Sequence, residues 1–296
     1  EITLEKITIS KYATLGELYN AFKFGKIDVI TTTNIGIEDY IGTIGYNKQD
    51  VAGREFDFLA INTQNTVLSN VEVRRAILHA INRQNIVSSL FNNKYKVMDY
   101  PLDYGNWLKG EAGDTSYNPD LAKQILEQNG WEFKYNKWQK TENYHTKTLS
   151  FKIVVQASNQ TRVTVAEMIK TDLEAIGIKV TIVKASDNQY QYYLQNKNYD
   201  SIITGTTMSV SPNLETYFGK GNYAEFDNAD LNNIMNEVKN ITREDLLQEK
   251  YTSIRQIFNE QIPYIGLYSS YYSVASSWSL RGNITPNWYN IFIDIN

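Results

Sequence analysis

The residue types that carry catalysis and metal binding are scarce in this 296-residue chain. There is no cysteine, which excludes disulfides, thiolate metal sites and a cysteine nucleophile together. Its two histidines, His79 and His145, stand in unrelated contexts. His79 falls inside the stretch Arg74 to Asn82, where a packed or partly exposed helix residue is expected rather than a base or metal ligand. Gly219-Lys220-Gly221-Asn222 is too short and wrongly composed for a phosphate-binding loop. Asp227 and Asp230, with their Asn neighbours, lack the spacing of a calcium loop and read as a solvated helix start. With 33 Asp and Glu residues and 13% aromatics, a hydrolase using two carboxylates is the enzyme alternative. No spacing makes any acidic pair converge, so the chain is read as no enzyme, with no catalytic residue, metal site or cofactor assigned.

The elements that must position any site are marked by their caps. Thr14-Leu15-Gly16-Glu17 is a capping box opening a short helix, whose Leu15, Leu18, Ala21 and Phe22 share one face. Gly25 stops that helix before a strand over Ile27 to Thr31. A second box, Ser69-Asn70-Val71-Glu72, opens a helix with Val73, Ile77, Ala80 and Ile81 as its buried stripe, and Arg74, Arg75 and Arg83 lie largely off it. Asn118-Pro119-Asp120 is a third helix start, and that helix runs to Gly130. From 149 to 206 the pattern alternates. A strand over Leu149 to Val155 precedes a helix with Val165, Met168, Ile169, Leu173 and Ile176 on one side, stopped at Gly177. Strand Ile178 to Val183, a polar helix around Tyr190 to Leu194 and the strand candidate Ile202-Ile203 follow. Alternation of this kind predicts an α/β sheet. Helices near Asn228 to Lys239 and Thr242 to Asn259 lead to a final segment, Ile262 to Ile295, that reads as β.

Composition narrows the partners. A formal charge of -4 and a pI near 5.4 remove the clustered Lys and Arg that nucleic-acid binding requires. No apolar run approaches the roughly 20 residues of a membrane-spanning helix, so no direct membrane span is expected in this chain. The length suits one large domain or two smaller ones, with two lobes favoured. The chain begins without Met, directly in what reads as a strand over Leu4 to Ile9. The natural N-terminus is therefore expected to have been removed, with any export signal or lipid anchor lying upstream.

Four stretches, in order, resemble the peptide and nickel type of extracellular solute-binding protein, family 5. They are Leu18 to Val29 with Phe24-Gly25-Lys26-Ile27-Asp28-Val29; Ser69 to Val87, reading SNVEVRRAILHAINRQNIV; Tyr117-Asn118-Pro119-Asp120-Leu121-Ala122-Lys123 with Leu126 and Gly130-Trp131; and Ile176-Gly177-Ile178-Lys179-Val180 with Tyr199-Asp200 and Gly205. Together they cover nearly the whole chain. The resemblance implies an α/β, periplasmic-binding-protein-like fold (type II, cluster C). The chain would be an N-terminally truncated, C-terminal portion, with one complete α/β lobe and the remnant of a split one. Residues 1–64 and 266–296 would belong to split lobe I and residues 65–265 to the ligand-closing lobe III, with hinge crossings near Asn62 to Asn65 and Pro263 to Tyr268. The implied function is the substrate-binding component of a bacterial ABC importer, extracellular or periplasmic and anchored through an upstream lipid or signal segment. Its partners would be a peptide or other small solute and the membrane permease subunits. A partner-docking or sensor module is a further alternative.

In the family, the strand ending near Gly205 continues into a loop that meets the ligand, where an acidic residue commonly pairs with a peptide's α-amino group. Here the loop reads Thr206-Thr207-Met208-Ser209-Val210-Ser211-Pro212. Ser209 stands where that Asp is expected and Thr206 replaces a typical Trp. A hydroxyl cannot supply the charge-assisted bond that a carboxylate gives an ammonium. The other candidates are Phe58, Ala60 and Asn62 on the strand entering the closing lobe, Tyr104 and Trp107 in an aromatic loop, and Tyr268 and Tyr271 at the return crossing.

Overall fold

Local side-chain chemistry sets most helix starts. In this computed structural model, which describes residues 6–102, 107–209, 211–280, 284–287 and 290–292, α1 spans Leu15–Lys23 and the Thr14 hydroxyl accepts the N–H of Glu17. The Glu17 carboxylate reaches back one residue further than the box requires, to the N–H of Ala13. Tyr19, Ala21 and Phe22 form the buried face, whereas Leu15 is exposed. Strand β1, Val29–Thr32, begins two residues later than expected. Helix α2, Glu38–Ile41, then leads to β2, Tyr46–Ile61, a 16-residue strand of which only the end, around Phe58 and Ala60, was expected. Residues Lys6–Ile9 carry no strand, and Ile7 and Ile9 are exposed; Leu4 and Glu5 lie outside the described residues.

Helix α3, Val71–Ala80, is capped by Asn70, not Ser69: the Asn70 side chain accepts the N–H of Glu72. Helices α4, Arg83–Phe91, and α5, Pro119–Gln128, follow, the latter with Asn118 as cap and Pro119 in its first turn. Three short strands, β3 (Glu132–Lys134), β4 (Lys137–Glu142) and β5 (His145–Thr148), make a separate antiparallel meander. Its polar residues hid it from a search for alternating apolar positions. It is anchored by Trp138, whose indole N–H donates to Ile176 O at 2.7 Å.

The alternating region forms as expected, through β6 (Ser150–Gln156), α6 (Gln160–Ala175), β7 (Lys179–Ala185), α7 (Asp187–Asn196) and β8 (Ser201–Thr207). Strand β6 pairs in parallel with both β7 and β8. Its run of buried Ile153, Val154 and Val155 suits a central parallel strand covered on both faces. Gly177 takes φ +88°, a left-handed stop that lets β7 start at once. Helices α8 (Glu215–Phe218), α9 (Ala229–Glu237) and α10 (Glu244–Gln261) precede β9, Tyr264–Ser277. The expected late β segment therefore ends at Ser277; beyond it, only an isolated Asn287–Asn290 bridge occurs among the described residues. The larger sheet has the order β1-β9-β2-β8-β6-β7.

By its internal contacts the chain divides into two units: Glu1–Glu55, Val87–Lys96 and Ser269–Asn296 form the first, and Phe56–Ile86 with Val97–Tyr268 the second. The first has a small core of Tyr19, Phe22, Ile30, Ile37, Ile41 and Ala275. The second is held partly by buried guanidinium groups, and here the expected outward placing of Arg74, on α3, and Arg83, which opens α4, is corrected. Arg74 and Arg83 are buried, not off the packed face. Arg74 donates to the carbonyls of Leu68, Ser69, Gln261 and Ile262, satisfying orphan acceptors at the end of α10. Arg83 donates to Gly266 O and Thr115 O. A 3.6-residue period shows which positions face inward but not that a buried position can hold a charge whose donors meet carbonyls. Desolvation, then repulsion from Arg75, lowers the Arg74 pKa to about 10, so it remains charged at neutral pH. His79 is also buried, with Nδ1 2.8 Å from Ser116 O.

Arg74→Met removes donors from four carbonyls and is expected to cost about 3 kcal/mol of unfolding free energy. Asn118→Ala, which removes one helix cap, is expected to cost about 1 kcal/mol. Urea unfolding followed by far-UV circular dichroism distinguishes the two, and equal midpoints for the variants would contradict this ranking.

Candidate functional site

A charged residue in an otherwise apolar strand demands a partner. Strand β2 ends Phe56-Asp57-Phe58-Leu59-Ala60-Ile61, and of these only Asp57 is not fully withdrawn from solvent. Successive side chains of a strand point to opposite faces, so Asp57 leaves the face occupied by Phe56 and Phe58. It meets Arg162, in the first turn of α6, in a two-pronged ion pair: Nε to Oδ2 and Nη2 to Oδ1, both at 2.8 Å. The Tyr268 hydroxyl, on β9, donates to the same Oδ2 at 3.1 Å. Burial opposes the charge on Arg162, but hydrogen bonding and attraction to Asp57 more than offset it and raise its pKa above the ordinary arginine value.

The fourth element of this cluster is Gly205 on β8. A Cβ there would overlap both Asp57 Oδ1 and Arg162 Nη2, so the side chain is absent where the ion pair needs the space. Thr206 follows, its hydroxyl bonded to that of Tyr217. Thr207 and Ser209 are exposed, and Met208 is buried between them. Ser209 Oγ accepts the N–H of Ser211 at 3.2 Å and lies 3.1 Å from Ser211 Oγ, a local turn of the kind serine favours. Thus β2, α6, β8 and β9 bring Asp57, Arg162, Gly205 and Tyr268 together within the second unit, while Thr206, one residue on, faces the opposite side of the strand toward Tyr217.

The remaining candidates fall elsewhere. Phe58 and Ala60 are fully buried. The Phe58 ring lies against Phe56, Tyr217, Tyr223 and Tyr264, so these two are core residues rather than walls of a cleft. Asn62 is a structural pin: its amide donates to Lys197 O and Tyr199 O and accepts the N–H of Gln64. Trp107 is half exposed and borders an open groove of about 730 Å³ with Lys109, Glu111, Thr252, Arg255 and Asn259. Tyr104 lies outside the described residues, as does Val210 of the hydroxyl loop. Tyr271 belongs to the first unit, where it is buried with Tyr95 edge-on to its ring and the Lys94 ammonium 5.6 Å from its centroid. Asp57 and Arg162 were not singled out from sequence. The available signal was a lone carboxylate in an apolar strand, which has to be neutralised or paired; nothing in the sequence named its partner 105 positions away.

No group of three His, Asp or Glu side chains suited to a metal ion occurs among the described residues. No helix of the described residues is long and apolar enough to cross a membrane.

Comparison with known proteins agrees with this architecture. The oligopeptide-binding protein AppA of Bacillus subtilis is 26% identical over 263 residues, covering 84% of this chain and 48% of its own length. The peptide transport periplasmic protein SapA of Salmonella typhimurium is 24% identical over 251 residues, covering 80% and 43%. The chain therefore spans about half the length of the curated relatives it matches. Among solved structures, HbpA2 from Haemophilus parasuis superposes with a TM-score of 0.79 at 20% identity, over 97% of this chain and 56% of that one. The nonapeptide complex of B. subtilis AppA gives 0.72 at 21% identity, over 94% and 56%. Likeness at this identity establishes the mixed α/β fold of periplasmic binding proteins. Residues 2–225 match the family described as bacterial extracellular solute-binding proteins, family 5 Middle, and the chain belongs to that family.

Proposed function

We propose that this chain is part of the substrate-binding component of a bacterial ABC importer that carries a peptide or similar small solute outside the cell membrane and transforms nothing. The observation that carries this reading is the family match across residues 2–225. The names of the relatives, which include peptide-binding and peptide-transport proteins, support the solute class, and permease subunits are the partners such a carrier serves. In this reading the second unit is the ligand-closing lobe and the first belongs to a split lobe. Lobe closure selects a bound form because the solute contacts that form better than the open one.

The side chains around Gly205 suit a carrier better than a hydrolase. Their one carboxylate, Asp57, is locked to a cation and a phenol, whereas glycosidase chemistry needs two carboxyls facing a substrate.

Ligand-observed NMR, which detects affinities down to the millimolar range, tests the reading against a panel of short peptides and oligosaccharides. Saturable binding of one solute class with no change in its covalent structure over days is expected; hydrolysis of any panel member would overturn the carrier assignment. Gly205→Ala is expected to weaken that binding at least tenfold, because the added methyl pushes Asp57 and Arg162 apart. Unchanged affinity for this variant would remove the Gly205 cluster from the site.

A further inference from the structure

The cluster around Gly205 has a definite polarity. Arg162 commits Nε and Nη2 to Asp57, and 18% of its side chain remains exposed. The guanidinium has five donors and no acceptor, so Nη1 is left to serve another acceptor. Asp57 has no comparable remainder: both its oxygens accept from Arg162, one accepts from Tyr268 as well, and 13% of the side chain is exposed.

No acid lies nearby on β8 or its loop. From Ser201 to Leu214 the sequence contains neither an acidic nor a basic residue. The flanking acids are engaged: Asp200 accepts from Asn65 Nδ2 and from the N–H of Lys152, and Glu215 pairs with Lys239 at 2.8 Å. Past Thr206, whose hydroxyl is turned to Tyr217, the loop contributes the exposed hydroxyl-bearing side chains of Thr207 and Ser209, which both donate and accept but carry no charge.

We infer that this site selects a solute through a carboxylate bound by Arg162 Nη1, with the hydroxyls of Thr207 and Ser209 beside it, and that it does not read a solute's ammonium group. The inference rests on the carrier reading and narrows it to solutes with an anionic end. Asp57 and Tyr268 act as positioning residues: the two-pronged pair fixes the guanidinium plane, and the phenol donor holds the carboxylate that fixes it. Arginine suits this arrangement because its planar fork can bind one partner with one edge and present the other edge outward, which a lysine ammonium cannot do.

The test is a set of four tetrapeptides of one sequence, titrated into the 296-residue chain by ligand-observed NMR: both ends free, N-acetylated, C-amidated, and blocked at both ends. N-acetylation is expected to leave Kd within about twofold, and C-amidation to raise it at least tenfold, as expected for loss of a charge-assisted hydrogen bond. The double variant Asp57→Asn/Arg162→Gln removes both charges without leaving either buried alone. It is expected to bind the free and amidated peptides equally, with thermal unfolding confirming that it folds. A tenfold loss on N-acetylation, or a carboxylate preference that persists in the folded double variant, overturns the inference. Saturable binding of peptides with no end preference, or of oligosaccharides alone, overturns it while leaving the carrier reading intact. Absence of binding by any peptide or oligosaccharide overturns both.

Discussion

The pairing of Asp57 with Arg162 is the constraint on which the candidate site depends. A carboxylate on a strand whose neighbours are withdrawn from water must be matched by a cation, since an isolated buried charge costs several kcal/mol. That need ties the end of β2 to the first turn of α6. It also works against the helix dipole, because a cation near a helix N-terminus is unfavourable on its own, and the carboxylate compensates. Once the pair is in place, β8 can pass it only where a residue lacks a side chain, at Gly205. A glycine that reads as the end of a strand is thus explained by the ion pair beside it.

Guanidinium groups recur as fasteners in the second unit, and each solves a different problem. Arg74 gathers carbonyls that the ends of helices and turns leave without donors. Arg83 links Gly266 O to Thr115 O. Arg255 pairs with Asp99 at 2.5 Å and lies over the face of Tyr100, 4.2 Å from its centroid, joining an ion pair to a cation–π contact. A chain without cysteine cannot staple itself covalently. Multi-donor side chains reaching across long sequence separations supply cross-links of another kind, directional rather than covalent.

Within the candidate site, the face of β2 was the point at which sequence and structure parted. Phe58, Ala60 and Asn62 share one parity along the strand, and aromatic character made that parity attractive for a cleft. The structure covers both parities, with Phe58 and Ala60 fully buried on one face and Leu59 and Ile61 on the other, and the one charged residue, Asp57, lies on the second face against Arg162. A period of two identifies two faces without saying whether one or both are covered, and a continuous apolar run is what a strand buried on both faces shows. The hydroxyl loop after Gly205 was legible because it follows a strand with a strong apolar signal. The contact of Thr206 with Tyr217 was not, since it depends on where α8 comes to rest.

What the sequence by itself determined were the local, short-range features. Thr14, Asn118 and the left-handed Gly25 and Gly177 mark helix ends because caps and stops act over three or four residues. The β-α-β-α-β alternation from 149 to 206 follows from side-chain periodicity alone, as does the absence of thiol chemistry from composition. Only the tertiary structure decided that β2 runs for 16 residues, that residues 87–96 join the first unit while their neighbours on both sides join the second, and that Arg162 finds Asp57. Those outcomes depend on contacts between residues far apart in the chain. The energy of such a contact exists only once burial and chain closure have brought both partners out of water together, and no local pattern encodes which partners those are.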